Sequence, residues 1–205
     1  MIFGILKLVV LVLFLYLVWR NLRDDYKENE LIDYSWLAVT VALVSGRLSY
    51  GLINWGVWNE SLINWFSFWS NPGFNYVGAV VGLILITWWN CRDKEWKLWP
   101  FLEKITWIIY LILSLLMLGE RLWFHAVVFV IAMVVAIQIS GRYRAFVWYK
   151  SGKRGFVFFF VNLLVGLMLA LVSWWLKDGP IVIIIYLILS LISGVGLVML
   201  ANDEN

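Results

Sequence analysis

The chain has 205 residues, 63% hydrophobic and 14% charged, with 15 Trp, 3 Pro and a formal net charge of +3. Seven long apolar stretches take up most of that length, which points to an integral membrane protein and leaves no room for a soluble domain. One cysteine, Cys91, excludes an internal disulfide, and one histidine with one cysteine on opposite sides of the membrane cannot make a metal site.

The stretches run Ile2–Trp19, Leu31–Gly56, Phe74–Asn90, Trp99–Leu118, Leu122–Ser140, Phe156–Leu176 and Pro180–Leu200. Each is near the ~20 residues that a helix needs to cross ~30 Å of hydrocarbon, and lipid demands that backbone polar groups be satisfied within the segment. The fold class expected is all-α and polytopic, seven transmembrane helices in one domain over residues 1–205. The first stretch lacks a small-residue cleavage site and reads as a retained span. The loops after helices 1, 3 and 5 carry Arg20, Arg23, Lys27, Arg92, Lys94, Lys97, Arg142, Arg144, Lys150, Lys153 and Arg154, whereas the opposite loops carry only Arg121 and Lys177. The positive-inside rule then puts the amino terminus outside and the carboxyl terminus in the cytoplasm. These basic residues lie at headgroup level, where anionic lipid is their natural partner, so nucleic acid is not required. Between helices 2 and 3, residues 57–73 hold no lysine or arginine and include Trp58, Trp65, Phe66, Phe68 and Trp69. This segment is expected to lie along the outer leaflet, either as an aromatic belt or as a lipid-gating arm.

Function is sought among polar residues at membrane depth. Arg47 stands sixteen residues after Leu31, or roughly 24 Å from the inner end at about 1.5 Å per residue. Tyr50, Gly51 and Asn54 follow at three, four and seven residues and share its helix face. Gly46 and Gly51 permit close approach of a neighbouring helix. An arginine here either snorkels to outer headgroups or binds a phosphate inside the bundle. Helix 3 opens with Gly73, Asn75, Tyr76, Gly78 and Gly82, and the spacing of Gly78 and Gly82 is that of helix packing. Helix 5 opens with Glu120, Arg121 and His125, with Arg121 and His125 expected on one face; His125 is the one imidazole available as a base. Glu103 and Lys104 read as interfacial residues at the inner end of helix 4.

Residues 20–82 resemble the prolipoprotein diacylglyceryl transferases of bacteria. The resemblance is carried by RNLRDDYKENELIDYSWLAVTVALVSGRLSYGLIN, in which a basic and acidic linker leads to a glycine-arginine-leucine-tyrosine pattern, and by the glycine-rich NPGFNYVGAVVG. The seven-span count, the outward amino terminus and the later YKSGKRGFVFFF also match. The resemblance implies transfer of the diacylglyceryl group of phosphatidylglycerol to a cysteine thiol of a lipoprotein precursor in the inner membrane. It implies no cofactor. Partners would be phosphatidylglycerol and the precursor's signal peptide. Arg47 falls on the family's arginine after glycine and Arg121 on a second one; both would hold phosphate, with Tyr50, Asn54, Asn75 and Tyr76 lining the pocket. The chain departs from the family pattern in five places, one of them the long outer region that normally follows the second arginine, which has nearly vanished because His125 stands only four residues after Arg121. Val77 stands where the family has histidine. LWF follows Arg121 in place of a glycine- and asparagine-containing stretch. AVVFVI follows His125, and residues 156–176 hold no charge. A non-catalytic lipid- or partner-binding protein on the same scaffold is the alternative.

Overall fold

The computed structural model describes residues 2–54, 73–146, 149, 151–177 and 179–202. Among them are seven α-helices and one 3-10 turn, with no strand. The helices are α1 (Ile2–Leu22), α2 (Glu28–Ile53), α3 (Tyr76–Asp93), α4 (Leu98–Gly119), α5 (Trp123–Ser140), α6 (Phe156–Trp175) and α7 (Pro180–Asn202). Five of them, α2 and α4 to α7, are long and apolar enough to cross a membrane. The apolar part of α1 with described side chains is Val9–Leu22. α3 is shortened as an apolar element by Asn90, Arg92 and Asp93 in its last turn. Nearly all of the expected aromatic segment of residues 57–73 lies outside the described residues.

Helix ends follow local chemistry. α2 begins three residues before the apolar run because Glu28 and Glu30 favour the positive end of the helix dipole, and Lys27 pairs with Glu30 at 3.2 Å. It ends at Asn54, whose backbone N–H and side-chain Nδ2 both donate to the Tyr50 carbonyl, at 3.0 and 2.9 Å.

The helices fall into two compact units. The smaller, residues 22–98, is the α2–α3 pair. Its interior is polar where the helices cross: the Tyr34 hydroxyl bonds Thr87 Oγ1 at 2.8 Å, and both residues are fully buried. Below that pair, Trp96 packs on Tyr26 and Tyr34, and Lys94 Nζ donates to the Glu30 carbonyl at 3.2 Å.

The larger unit, residues 1–21 and 99–205, holds α1 and α4 to α7. α1 buries Val10, Phe14 and Val18, one turn apart, and Asn21 Nδ2 donates to the Lys104 carbonyl at 2.9 Å. α6 packs on both α5 and α7. The α6–α7 seam is built on small residues: a Cβ on Gly166 would meet Ser190 Cβ at 2.8 Å, and Ser190 Oγ donates to the Leu163 carbonyl at 3.1 Å. Tyr110 of α4 bonds Asn162 of α6 at 2.9 Å and stacks on Phe129 of α5. At the start of α6, Gly155 adopts φ +112° and donates its N–H to Glu103 Oε2 at 2.5 Å. Glu103 is thus a specific anchor for α6 rather than a merely interfacial charge. Beside it Tyr143, Tyr149 and Phe156 form a buried aromatic cluster, and burial raises both phenols above the ordinary tyrosine range, so they stay neutral.

Candidate functional site

The residues singled out around Arg47 come together in the α2–α3 pair. The segment Ser45–Gly51 is helical, and its i, i+3, i+4 spacing turns Arg47, Tyr50 and Gly51 to one side while Leu48 and Leu52 stay exposed. Arg47 is only 3% exposed, which excludes the outward snorkelling geometry. Its Nη1 donates to the backbone carbonyl of Gly73, just before α3. The Tyr50 ring lies flush on Gly73, so that a Cβ added there would fall within the ring's own atoms. The Asn75 N–H donates to the Gly46 carbonyl at 3.1 Å, and a Cβ on Gly46 would meet the Phe74 ring at 2.5 Å. Four consecutive contacts therefore fix the chain that leads into α3 against the last turns of α2.

Gly78 and Gly82 lie close against α2. A Cβ on Gly82 would meet Ser45 Cβ at 2.7 Å, and one on Gly78 would meet the Ser45 carbonyl at 3.0 Å. Ser45 Oγ is itself satisfied by the Val41 carbonyl at 2.7 Å, so α2 offers small, hydrogen-bonded side chains to the glycine face of α3. Asn75 has a structural duty in addition to any role in a pocket: its Oδ1 accepts from the Gly78 N–H at 2.9 Å and caps α3. Tyr76 opens α3 with its ring edge-on to Phe74, centroids 5.2 Å apart. Val77, in the same first turn, is 45% exposed and apolar.

Arg121 and His125 belong to the larger unit. Their expected common helix face is corrected by the backbone. α5 begins at Trp123, and Arg121 precedes it in a left-handed conformation with φ +62°, inside the tight α4–α5 turn closed by Leu122 N–H to the Met117 carbonyl at 2.9 Å. Arg121 is exposed. His125 is half-buried in the first turn of α5, one turn before Phe129, which stacks on Tyr110. It therefore begins the stripe of α5 that continues through Phe129, Ala132 and Ala136, all buried.

Among the described residues the regular structure is helical, five helices are long and apolar enough to span a membrane, and one of them buries an arginine tied to a backbone carbonyl, which fits a multi-pass membrane protein. The model of the prolipoprotein diacylglyceryl transferase family matches residues 1–193, and the chain belongs to that family, whose members are transferases of lipoprotein biosynthesis. No curated protein matches it.

Proposed function

We propose that this protein binds phosphatidylglycerol from the outer leaflet of the bacterial inner membrane and acts on it as a prolipoprotein diacylglyceryl transferase-like protein. In this reading seven helices cross the membrane with the amino terminus outside. Arg47 holds the lipid phosphate, Tyr50, Asn54, Asn75 and Tyr76 line the pocket beside it, and the exposed Arg121 is a second cation available to phosphate. The observation that carries the reading is the burial of Arg47 at membrane depth, turned toward the start of α3. A guanidinium in such a setting offers planar donors to a phosphate, and its charge counters the negative charge that builds on the departing group. In the transfer, a precursor cysteine thiolate attacks the glycerol carbon next to the phosphate. The carbon–sulfur bond forms as the carbon–oxygen bond breaks, glycerol phosphate leaves, and the thiol proton passes to a base. His125 is the imidazole in the sequence that can take it.

Val77 favours a second reading, a lipid-binding protein on the same scaffold with little or no transfer. It occupies the place of the family's histidine, and a valine accepts no proton. One set of measurements separates the two. Full-length protein in nanodiscs is titrated with phosphatidylglycerol, then given a lipobox peptide and scored for thioether product by mass spectrometry. Arg47→Lys is expected to weaken phosphatidylglycerol binding about tenfold, because a point charge replaces a bidentate fork. Lys177→Gln is expected to leave it unchanged. Equal losses at both positions would reduce the site to diffuse surface charge. Slow thioether formation that is lost in His125→Ala is the result expected of the transferase reading with His125 as its base; binding with no turnover would favour the second reading.

A further inference from the structure

The Arg47 site contains a second layer that the reading above does not use. The guanidinium does not sit against α2 alone: Nη1 donates to the carbonyl of Gly73, and Gly73 lies under the Tyr50 ring. Arg47 and Tyr50 are one turn apart on α2, so the same helix face supplies both the cation and the ring that presses on the group the cation binds. The Tyr50 ring alone leaves no space for a side chain at position 73. We propose that Tyr50 and Gly73 are positioning residues: the Tyr50 ring seats the Gly73 carbonyl at Arg47, and that carbonyl orients the guanidinium plane for an anionic headgroup phosphate. This rests on the reading that Arg47 receives phosphate.

The physical reason is geometric. A guanidinium carries five N–H donors in one rigid plane, so fixing one of them fixes the directions of all the others. A side chain with several rotatable bonds loses much of its freedom on binding a ligand, and a carbonyl that has already taken that freedom leaves less to lose at the moment of binding. The backbone bond from Asn75 N–H to the Gly46 carbonyl and the Phe74 ring over Gly46 brace the same few residues, so the carbonyl cannot drift far from Arg47.

The test uses the full chain in phosphatidylcholine nanodiscs, titrated with phosphatidylglycerol and, separately, with a neutral diacylglycerol. Gly73→Ala adds a methyl group that the Tyr50 ring must leave, and is expected to lower phosphatidylglycerol affinity about tenfold while diacylglycerol binding changes less than twofold, estimates of the order seen for loss of one oriented charge contact. Tyr50→Ala, which removes the ring that seats the carbonyl, is expected to lower phosphatidylglycerol affinity in the same direction, and Tyr50→Phe, which keeps the ring, to bind it more tightly than Tyr50→Ala. Parallel loss of both lipids would indicate damage to the α2–α3 pair and overturn the proposal. So would unchanged phosphatidylglycerol binding in Gly73→Ala or in Tyr50→Ala, provided that Arg47→Gln abolishes binding. Unchanged binding in Arg47→Gln itself would instead remove the phosphate reading on which the proposal stands.

Discussion

At the scale of single residues, what mattered most was which groups meet across the fold, and the sequence disclosed this unevenly. Arg47 was legible because a charge inside an apolar run is costly, about 2.5–3.5 kcal/mol at a span centre, and so demands a reason. Its partner was not legible, because a backbone carbonyl has no side-chain signature and Gly73 stands 26 residues away. Arg121 misled for a similar reason: helical spacing to His125 was real in the sequence, but a left-handed residue interrupted it. Glu103 read as interfacial because a carboxylate near a helix end is ordinarily solvated. Its bond to Gly155 N–H places negative charge at the start of α6, where the free N–H groups and the dipole both favour it. Glu103→Ala is expected to destabilise the folded protein by about 1–3 kcal/mol, since the Gly155 N–H loses its acceptor. Glu103→Gln, which keeps an oxygen but not the charge, should cost less. Unfolding in detergent gives the magnitude and hydrogen exchange at Gly155 the location. Exchange at Gly155 unchanged in Glu103→Ala would mean that the bond contributes nothing.

At the scale of elements, the two units use one packing device. Lipid provides no hydrophobic force between helices, so close association depends on van der Waals contact and on hydrogen bonds between small residues. In the α2–α3 pair the device is Ser45 and Ser49 against Gly78 and Gly82; in the α6–α7 pair it is Ser190 against Gly166, with Phe159 over Gly196. The first pair was foreseeable from two glycines four residues apart. The second was overlooked because its four-residue spacing is written in mixed small residues, Gly166 with Ala170 on α6 and Ser190 with Gly194 on α7, in place of two glycines. Gly82→Val would push into Ser45 and the α2 backbone near the Val41 carbonyl, which a Cβ would already approach to 3.3 Å. Overpacking of this kind costs about 1–3 kcal/mol, so the variant should unfold at lower denaturant and its α2–α3 pair should be cut more readily by protease. Leu85→Ala, on an exposed position of the same helix, should change neither. Equal sensitivity at both positions would mean that the seam is not the stabilising contact.

At the scale of the whole molecule, the open quantity is how many helices cross the bilayer and in which direction. Five meet the length and hydropathy expected of a span, and α1 and α3 are the two in question. Charge argues that α3 crosses; the bias is indifferent to α1, which moves only the amino terminus. The connections after α1, α3 and α5 hold eleven lysines and arginines against two on the opposite set, and that bias is satisfied only if these three connections lie on the same side. A non-crossing α3 would put Arg92, Lys94 and Lys97 on the side opposite Arg20, Arg23 and Lys27, and the bias would vanish. Single cysteines at Asp24, Asp93, Gly141 and Glu120, all exposed, test this in a Cys91→Ser background, and replacing acids or glycine leaves the orienting lysines and arginines in place. An impermeant thiol reagent should label Glu120→Cys in intact cells, and the other three only after permeabilisation. Labelling of Asp93→Cys and Gly141→Cys, with Asp24→Cys and Glu120→Cys protected, would mean that one of α2 and α3 fails to cross. Labelling of Asp24→Cys, Asp93→Cys and Gly141→Cys together, with Glu120→Cys protected, would invert the protein. Arg47 would then face the cytoplasmic leaflet, and a site for outer-leaflet phosphatidylglycerol could not be built on it.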